Sequence, residues 1–439
     1  MSKNRKEIFA SLFFSRPVWL EELITICIYS FCVIITLSFG KAYAQSIGDI
    51  PTLSLNQSLV TLVFPQREIR NFVSIAEEET PLTGDAVAAG NVFWYFVQKY
   101  TDYTEKDKTE VIGYRWNENA LRLEKTGGLA LPNYFYARPS GQIVRALHYG
   151  LETGNDRFLA VTALDIRFPK GFYSPENISP EGGLYIVDVS SPQSPALAYH
   201  IPAVDAGGTS LIGNRLFARI ALLDGDYQND YMACYDMENL YAPRELWRVP
   251  VDRYYYCADI DSNDSSILYA GGSSLLVLKF DDDSVEIIAK WEFPIPVGNI
   301  FYLKAYPNYL LLGGALDNST LTSPGFSRVL THAISLDQPA QPGTVRSAIL
   351  QSRENAHTTF TNMYGFPSNV IVNTAGECPG FFSLHFGEDA SIEPIAFHPT
   401  KSSMSSILWN DFLFFGAKPV NMISTAQFFD AAIPCWEFY

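Results

Sequence analysis

Three observations predict an all-β fold. Short apolar strands recur along the chain, each opened by a polar turn residue and running into small residues. Aromatic residues make up 14% of the sequence, led by 30 Phe and 25 Tyr, and such side chains suit pleated, half-buried surfaces. Beyond the N-terminal segment no stretch shows heptads or a sustained helical apolar period. Seven strand openings recur at irregular intervals of roughly 40 to 70 residues, the range of four-stranded blades with variable loops, which predicts a single β-propeller. Seven blades is the expectation. Six or eight stay open, because Val97 to Tyr149 is long enough to hold an extra pair of strands.

The chain begins with a leader-like segment. Lys3, Arg5, Lys6 and Arg16 precede Leu23 to Phe39, an uncharged and mostly apolar run. Gly40-Lys41-Ala42-Tyr43-Ala44-Gln45 follows, with small Ala at both positions of an A-x-A cleavage site. Residues 1–44 are therefore expected to be a signal peptide and 45–439 one exported domain, periplasmic, secreted or at the cell surface. The alternative is a retained signal anchor, since the run is near the ~17-residue lower limit of a membrane span. Membrane contact is expected only through that segment. Cys234, Cys257, Cys378 and Cys435 remain in the body, an even number that fits two disulfides of open connectivity in an oxidising compartment. Their alternative is as buried thiols.

The seven openings are Asp85 to Gly90, Asp156 to Val161, Asn214 to Ala218, Ser266 to Gly272, Asn308 to Gly314, Asn369 to Asn373 and Asp411 to Gly416. A further apolar strand follows, as in Leu275 to Phe280 and Phe381 to Phe386. The fullest unit is Gly183 to Pro195, a strand and a Ser/Pro turn, continued by a strand over Ala196 to Ile201. Ile186 to Pro195 aligns without a gap on Ala333 to Pro342, three blades on, and both carry P-x-x-P where Pro ends a ladder. Sheets apolar on both faces cannot stand alone in water, and radial packing buries both faces. Ala88, Ala160, Ala218, Gly271, Gly313 and Gly416 fit a taper toward a crowded axis. Leu59 to Phe64 is expected to supply a strand to the last blade and lock the ring.

Leu184-Tyr185-Ile186-Val187-Asp188, with the Ser-Ser-Pro and Pro that follow, resembles the LVIVD repeat of exported β-propellers. Ile267 to Trp291 resembles a kelch-type blade through Gly271-Gly272 and Trp291, with Phe280 in the position of the expected Tyr. Both resemblances imply a propeller, and neither implies an active site.

Asp165, Asp224 and Asp317 end predicted second strands and open the stretches Asp165 to Gly182, Asp224 to Asp230 and Asp317 to Arg328. In a propeller these loops share a face with the connections between blades. The three carboxylates could therefore hold a hard cation or a cationic ligand at one end of the channel. The plainer reading makes each Asp a turn opener that caps backbone N–H groups. Asp224, Asp226 and Asp230 form the better cation candidate, one that could take Ca²⁺, with a solvated turn as the plainer alternative. No other cofactor is expected. Asp259-Ile260-Asp261-Ser262-Asn263-Asp264 imitates half a calcium loop, but lacks its Gly and its final Glu, and reads as a hairpin. Phe172 and Tyr173, among Pro169, Pro175 and Pro180, are candidate ligand-binding residues. Tyr134-Phe135-Tyr136 and Tyr254-Tyr255-Tyr256 could stack on sugar rings, face a protein, or simply pack between blades. The six histidines show no metal-binding spacing and are expected to make local hydrogen bonds.

The net charge of −16, without a basic cluster, excludes nucleic acid as a natural partner. No G-x-S-x-G, P-loop, G-x-G-x-x-G or C-x-x-C-H is present, nor the repeated Trp docking motif of quinoprotein propellers. The expected function is a binding or scaffold module for a protein or carbohydrate partner, working through a loop-rich face. The alternative is a propeller hydrolase or lyase with a divalent metal on the channel axis.

Overall fold

The computed structural model describes residues 50–430 apart from 70–72, 76–85, 99–108, 118, 121, 133–134, 138–142, 168–181, 225–226, 252–254, 294–298, 317–327, 353–357, 377–378, 388, 401–405 and 416–419. The leader, residues 1–44, lies outside the described residues, as do Cys378, Cys435, Phe172, Tyr173, Asp226 and Asp317.

Three N-terminal strands come first: β1 (Thr52–Ser54), β2 (Asn56–Val63) and β3 (Val73–Ile75). Blade 1 follows with β4 (Ala86–Ala89), β5 (Val92–Gln98), β6 (Thr109–Asn117) and β7 (Arg122–Ala130). Blade 2 holds β8 (Phe135–Ala137), a short extra strand paired with β9, and then its four blade strands β9 (Ile143–Gly154), which takes the first-strand place, β10 (Phe158–Arg167), β11 (Gly183–Asp188) and β12 (Ala196–Pro202). Blade 3 is β13 (Asp205–Ile212), β14 (Arg215–Asp224), β15 (Tyr227–Asp236) and β16 (Arg244–Val251). Blade 4 is β17 (Tyr255–Ile260), β18 (Ile267–Gly272), β19 (Leu275–Phe280) and β20 (Val285–Glu292). Blade 5 is β21 (Asn299–Tyr306), β22 (Tyr309–Leu316), β23 (Arg328–Gln338) and β24 (Gln341–Gln351). Blade 6 is β25 (Thr358–Gly365), β26 (Asn369–Gly376), β27 (Gly380–Phe386) and β28 (Ile392–Pro399). Blade 7 has β29 (Ser406–Trp409), β30 (Phe412–Phe415) and β31 (Val420–Ser424), with a short helix α1 (Ala426–Phe429) after it.

The sheets are seven, as expected, and the first strands of successive blades approach one another, so they lie innermost around the axis. Side chains along each strand alternate between two neighbouring wedges. In β10, Leu159, Val161 and Ala163 pack toward blade 1, while Phe158 and Ala160 pack toward blade 3. A separate apolar cluster fills each of the seven wedges between blades. The wedge from blade 7 to blade 1 is aromatic, with Phe93 against Phe414 at 4.7 Å. That contact joins the two ends of the array.

The closing strand is not the expected one. Leu59 to Val63 belong to β2, which pairs in parallel with β24 of blade 5. The fourth strand of blade 7 is β3, antiparallel to β31. Before reaching it, residues 51–67 run as a strap along the rim. β1 lies parallel to β20 of blade 4, β2 to β24, and Gln66 bridges to Phe397 of blade 6. Where the strap passes a wedge it drops in an apolar side chain: Leu55 between blades 4 and 5, and Phe64 between blades 5 and 6. Phe64 meets the Phe382 ring edge-on at 4.8 Å. The strap thus gives the outer edges of blades 4 and 5 a backbone partner.

Six of the seven sequence openings are second strands, but Ala86–Ala89 is the first strand of its blade. Among its described residues, the stretch Val97 to Tyr149 completes blade 1, starts blade 2 and adds the single extra strand β8 rather than a pair. Ile186 and Ala333 do occupy equivalent third strands, β11 and β23, three blades apart. Pro192 and Pro195 lie between β11 and β12. Pro342 instead sits inside β24, at an irregular pairing with Leu336.

Candidate functional site at the axial mouth

A strand packed between two wedges has no side chain left for the axis, because alternation sends each one to a wedge. An extra residue breaks that rule. Four consecutive first strands carry such a bulge near their start. The register shifts between Gly207 and Ser210 in β13, Tyr255 and Cys257 in β17, Ile300 and Tyr302 in β21, and Phe360 and Asn362 in β25. In blade 5, Ile300 packs toward blade 4 and Tyr302 toward blade 6, so Phe301 between them belongs to neither wedge. The same holds for Tyr256, between Tyr255 in one wedge and Cys257 in the next. Tyr256, Phe301 and Thr361 are thereby turned to the axial side.

In blades 4 and 5 the bulges have glycines behind them. Gly313-Gly314 in β22 face the blade 5 bulge, and a Cβ at Gly314 would come within 2.0 Å of the Asn299 carbonyl oxygen. Gly208, in the blade 3 bulge, has φ +57 and lies so close to blade 4 that a Cβ would stand 2.3 Å from the Tyr255 carbonyl oxygen.

The turned-out rings form an aromatic shelf. Tyr256 and Phe301 meet with centroids 4.9 Å apart and planes at 54°, and Phe301 lies nearly parallel to Phe360 at 6.1 Å. Phe360 is buried, whereas Phe301 is 40% exposed, the one phenylalanine among the exposed large apolar residues described. Beside the shelf, the apolar wedge between blades 6 and 7 also holds a polar chain. The Asn362 amide donates to the Tyr364 hydroxyl at 3.1 Å, which donates to the Ser406 carbonyl oxygen at 2.7 Å. The Asn373 amide donates to the Ser406 hydroxyl at 2.8 Å. Burial pushes the Tyr364 hydroxyl pKa upward, so it stays protonated and can donate.

No family model matches the chain, and no curated protein matches it. Among solved structures, a proposed 6-phosphogluconolactonase of Bacteroides fragilis is similar with a TM-score of 0.50 and 8% identity, over 76% of this chain and 91% of the other. A periplasmic gluconolactonase of Pseudomonas aeruginosa has a TM-score of 0.45 and 12% identity, over 72% and 86% of the two chains. The β-propeller domain of the trilobed protease of Pyrococcus furiosus has 0.43 and 9%, over 80% and 94%. At such identity the likeness concerns the fold alone.

The expected acidic residues fall differently from the shelf. Asp165 lies within β10, opposite Leu147 and two residues before the strand ends at Arg167, and the connection that follows lies outside the described residues. Asp224 ends β14 and pairs with Tyr227, so the predicted stretch to Asp230 is a tight hairpin rather than a long loop. Asp230 is inside β15, and its carboxylate accepts from Arg219 at 2.7 Å. Arg219 also bonds Asp205, and its side chain is only 4% exposed. Burial opposes the guanidinium charge, but the two carboxylates outweigh it and its pKa is raised. Asp230 is thus already engaged by a cation of the protein itself. Among the described residues no group of three or more His, Cys, Asp or Glu side chains is arranged to hold a metal ion.

Asp259 to Asp264 form the expected hairpin connection, with Asp261 accepting from the Asn263 and Asp264 amides and, at 2.6 Å, from the Tyr269 hydroxyl. Asp188 of the LVIVD-like stretch caps its own turn through Ser190 and accepts from Tyr241 of blade 3 at 2.8 Å. The expected disulfide role of Cys234 and Cys257 is corrected. Both are buried thiols, Cys234 in the wedge between blades 3 and 4 and Cys257 in the next one, so each packs as a small apolar side chain. Burial raises the Cys234 thiol pKa to about 12. The described histidine side chains make local bonds, His200 to the Gly182 carbonyl, His332 to Ser347, His385 to Asn369 and His398 to Ser383.

Sequence reading singled out Tyr256 but missed Phe301 and Thr361. A usable signal exists: three bulky residues in a row at a strand start (Tyr254-Tyr255-Tyr256, Ile300-Phe301-Tyr302) ahead of Gly-Gly in the next strand. Such a run cannot alternate, and the glycines leave room for it to bulge.

Proposed function

We propose that this protein is an exported β-propeller that serves as a binding module for a protein or carbohydrate partner, engaged at the axial mouth. The observation that carries the reading is the run of bulged first strands, which turns Tyr256, Phe301 and Thr361 away from the wedges toward one opening. Among the described residues Phe301 is the one exposed phenylalanine and the one exposed large apolar residue on a first strand, and a ring held exposed there is a natural contact point. Export is supported by the apolar run Leu23 to Phe39 and the Ala42-x-Ala44 site that follows it.

The test places a photo-crosslinking amino acid at position 301, and separately at Val60 on the rim, in cells producing the full chain. The reading expects a discrete adduct from position 301 and none from position 60. Equal labelling from both, or none from 301, would sink it. N-terminal sequencing of the same material should begin at Gln45, whereas a chain retained in the membrane fraction with its leader would favour the anchor.

A further inference from the structure

Resting on that binding reading, we infer that the ligand at the axial mouth is a neutral carbohydrate, one pyranose ring of which stacks on Phe301. The ring is held by two aromatic neighbours, Tyr256 at 4.9 Å and Phe360 at 6.1 Å, so stacking on it orders no loose side chain. Its exposure is isolated. The other exposed large apolar residues described are Leu53, Val60 and Val63 on the strap, Leu164 on β10, Leu197 and Tyr199 on β12, and Tyr241 in a turn; none is on a first strand. A protein interface is built around a contiguous apolar centre. One open aromatic face inside a polar frame instead suits a ring with an apolar C–H face and hydroxyls at its edge.

The frame is of the right kind. Thr361, exposed on the neighbouring bulge, offers a hydroxyl. Asn299, two residues before Phe301, is half-buried and offers an amide, and the Asn362, Tyr364 and Ser406 chain lies behind. The Thr361 hydroxyl and the Asn299 amide are uncharged donors and acceptors, matched to neutral hydroxyls. Lys304, further along β21, is paired with Asp259 at 3.1 Å. With a net charge of −16 over the chain, uronate or sulfated sugars are disfavoured by the field of the whole protein.

The experiment titrates the full mature chain with neutral gluco-, manno- and N-acetylglucosamine oligosaccharides and with an oligouronate, by calorimetry and ligand-observed NMR. At least one neutral series should bind, with the oligouronate weaker by about tenfold or more. Phe301→Ala should weaken that binding by about tenfold or more, while Phe301→Tyr keeps it within about threefold. Because Phe301 is part-exposed, the thermal midpoint of each variant serves as the check that the fold is intact. Absence of binding to every neutral series, or binding that survives Phe301→Ala in a folded variant, would overturn the carbohydrate assignment. A protein adduct captured from position 301 without any sugar binding would also overturn it, yet leave the broader binding reading standing.

Discussion

Arg219 shows how much a single buried charge can weigh. It lies between Asp205 and Asp230 with almost no exposure, so its removal strands two carboxylates in a wedge. Arg219→Met is expected to lower unfolding stability by about 3–5 kcal/mol, read from urea denaturation. Asp230→Asn should cost less, because Asp205 still balances the guanidinium; equal losses would argue that packing, not charge, is what Arg219 supplies. Gly208→Ala tests the bulge itself. Its φ of +57 and the approach of the Tyr255 carbonyl oxygen leave no room for a methyl group, so a loss above about 1 kcal/mol is expected by the same measurement. At this scale the sequence was partly legible. The hairpin role of Asp259 to Asp264 followed from a missing Gly and Glu, which are chemical requirements of calcium binding. The engagement of Asp230 by Arg219 was hidden, since it depends on three adjacent strands being in register.

Among the elements, the strap is the one whose role changes most on folding. It makes parallel backbone pairs with β20 and β24 and inserts Leu55 and Phe64 as wedges. Phe64→Ala should therefore cost about 3–5 kcal/mol and Leu55→Ala about 2–5 kcal/mol, measured as shifts of the urea midpoint. The strap also sits beside two buried histidines. Gln57 donates to the Ser347 hydroxyl, which contacts His332 at 2.7 Å, and Arg67 lies near His398. Burial lowers the His332 pKa from 6.5 to about 3, and burial followed by the Arg67 charge lowers that of His398 to about 4. The unfolded chain then binds protons that the native chain refuses. The stability from these groups is full above pH 6.5 and is lost as pH falls toward 4 and 3. Denaturation midpoints should drop between pH 7 and pH 4.5, by on the order of a few kcal/mol for the pair. His332→Gln should flatten that dependence, and an unchanged slope would exclude His332 as its source. The sequence pointed to a closing N-terminal strand but chose Leu59 to Phe64 over Val73–Ile75. Its criterion was apolar length, whereas the strand that closes blade 7 is a short one reached only after the longer run is used on blade 5.

For the whole molecule, closure rests on β3 completing blade 7 and on the aromatic wedge between blades 7 and 1. A chain lacking residues 45–75 would expose the outer edges of blades 4, 5 and 7 and vacate the sites of Leu55 and Phe64. It is expected to lose cooperative unfolding and to associate through those edges, which sedimentation and calorimetric melting would detect; a monomer with an unaltered melt would contradict the strap's role. The sequence by itself pointed to the architecture: strands apolar on both faces, with small residues at fixed places and no amphipathic helices to cover them, are buried by radial packing. It also determined the turns, because Asp, Asn, Ser and Pro impose them locally. Only the tertiary structure decided what faces the axis. A bulge is a mismatch between two strands, invisible in either alone, and the mouth gathers residues from strands roughly 45 to 60 positions apart, a separation set by ring closure rather than by any local pattern.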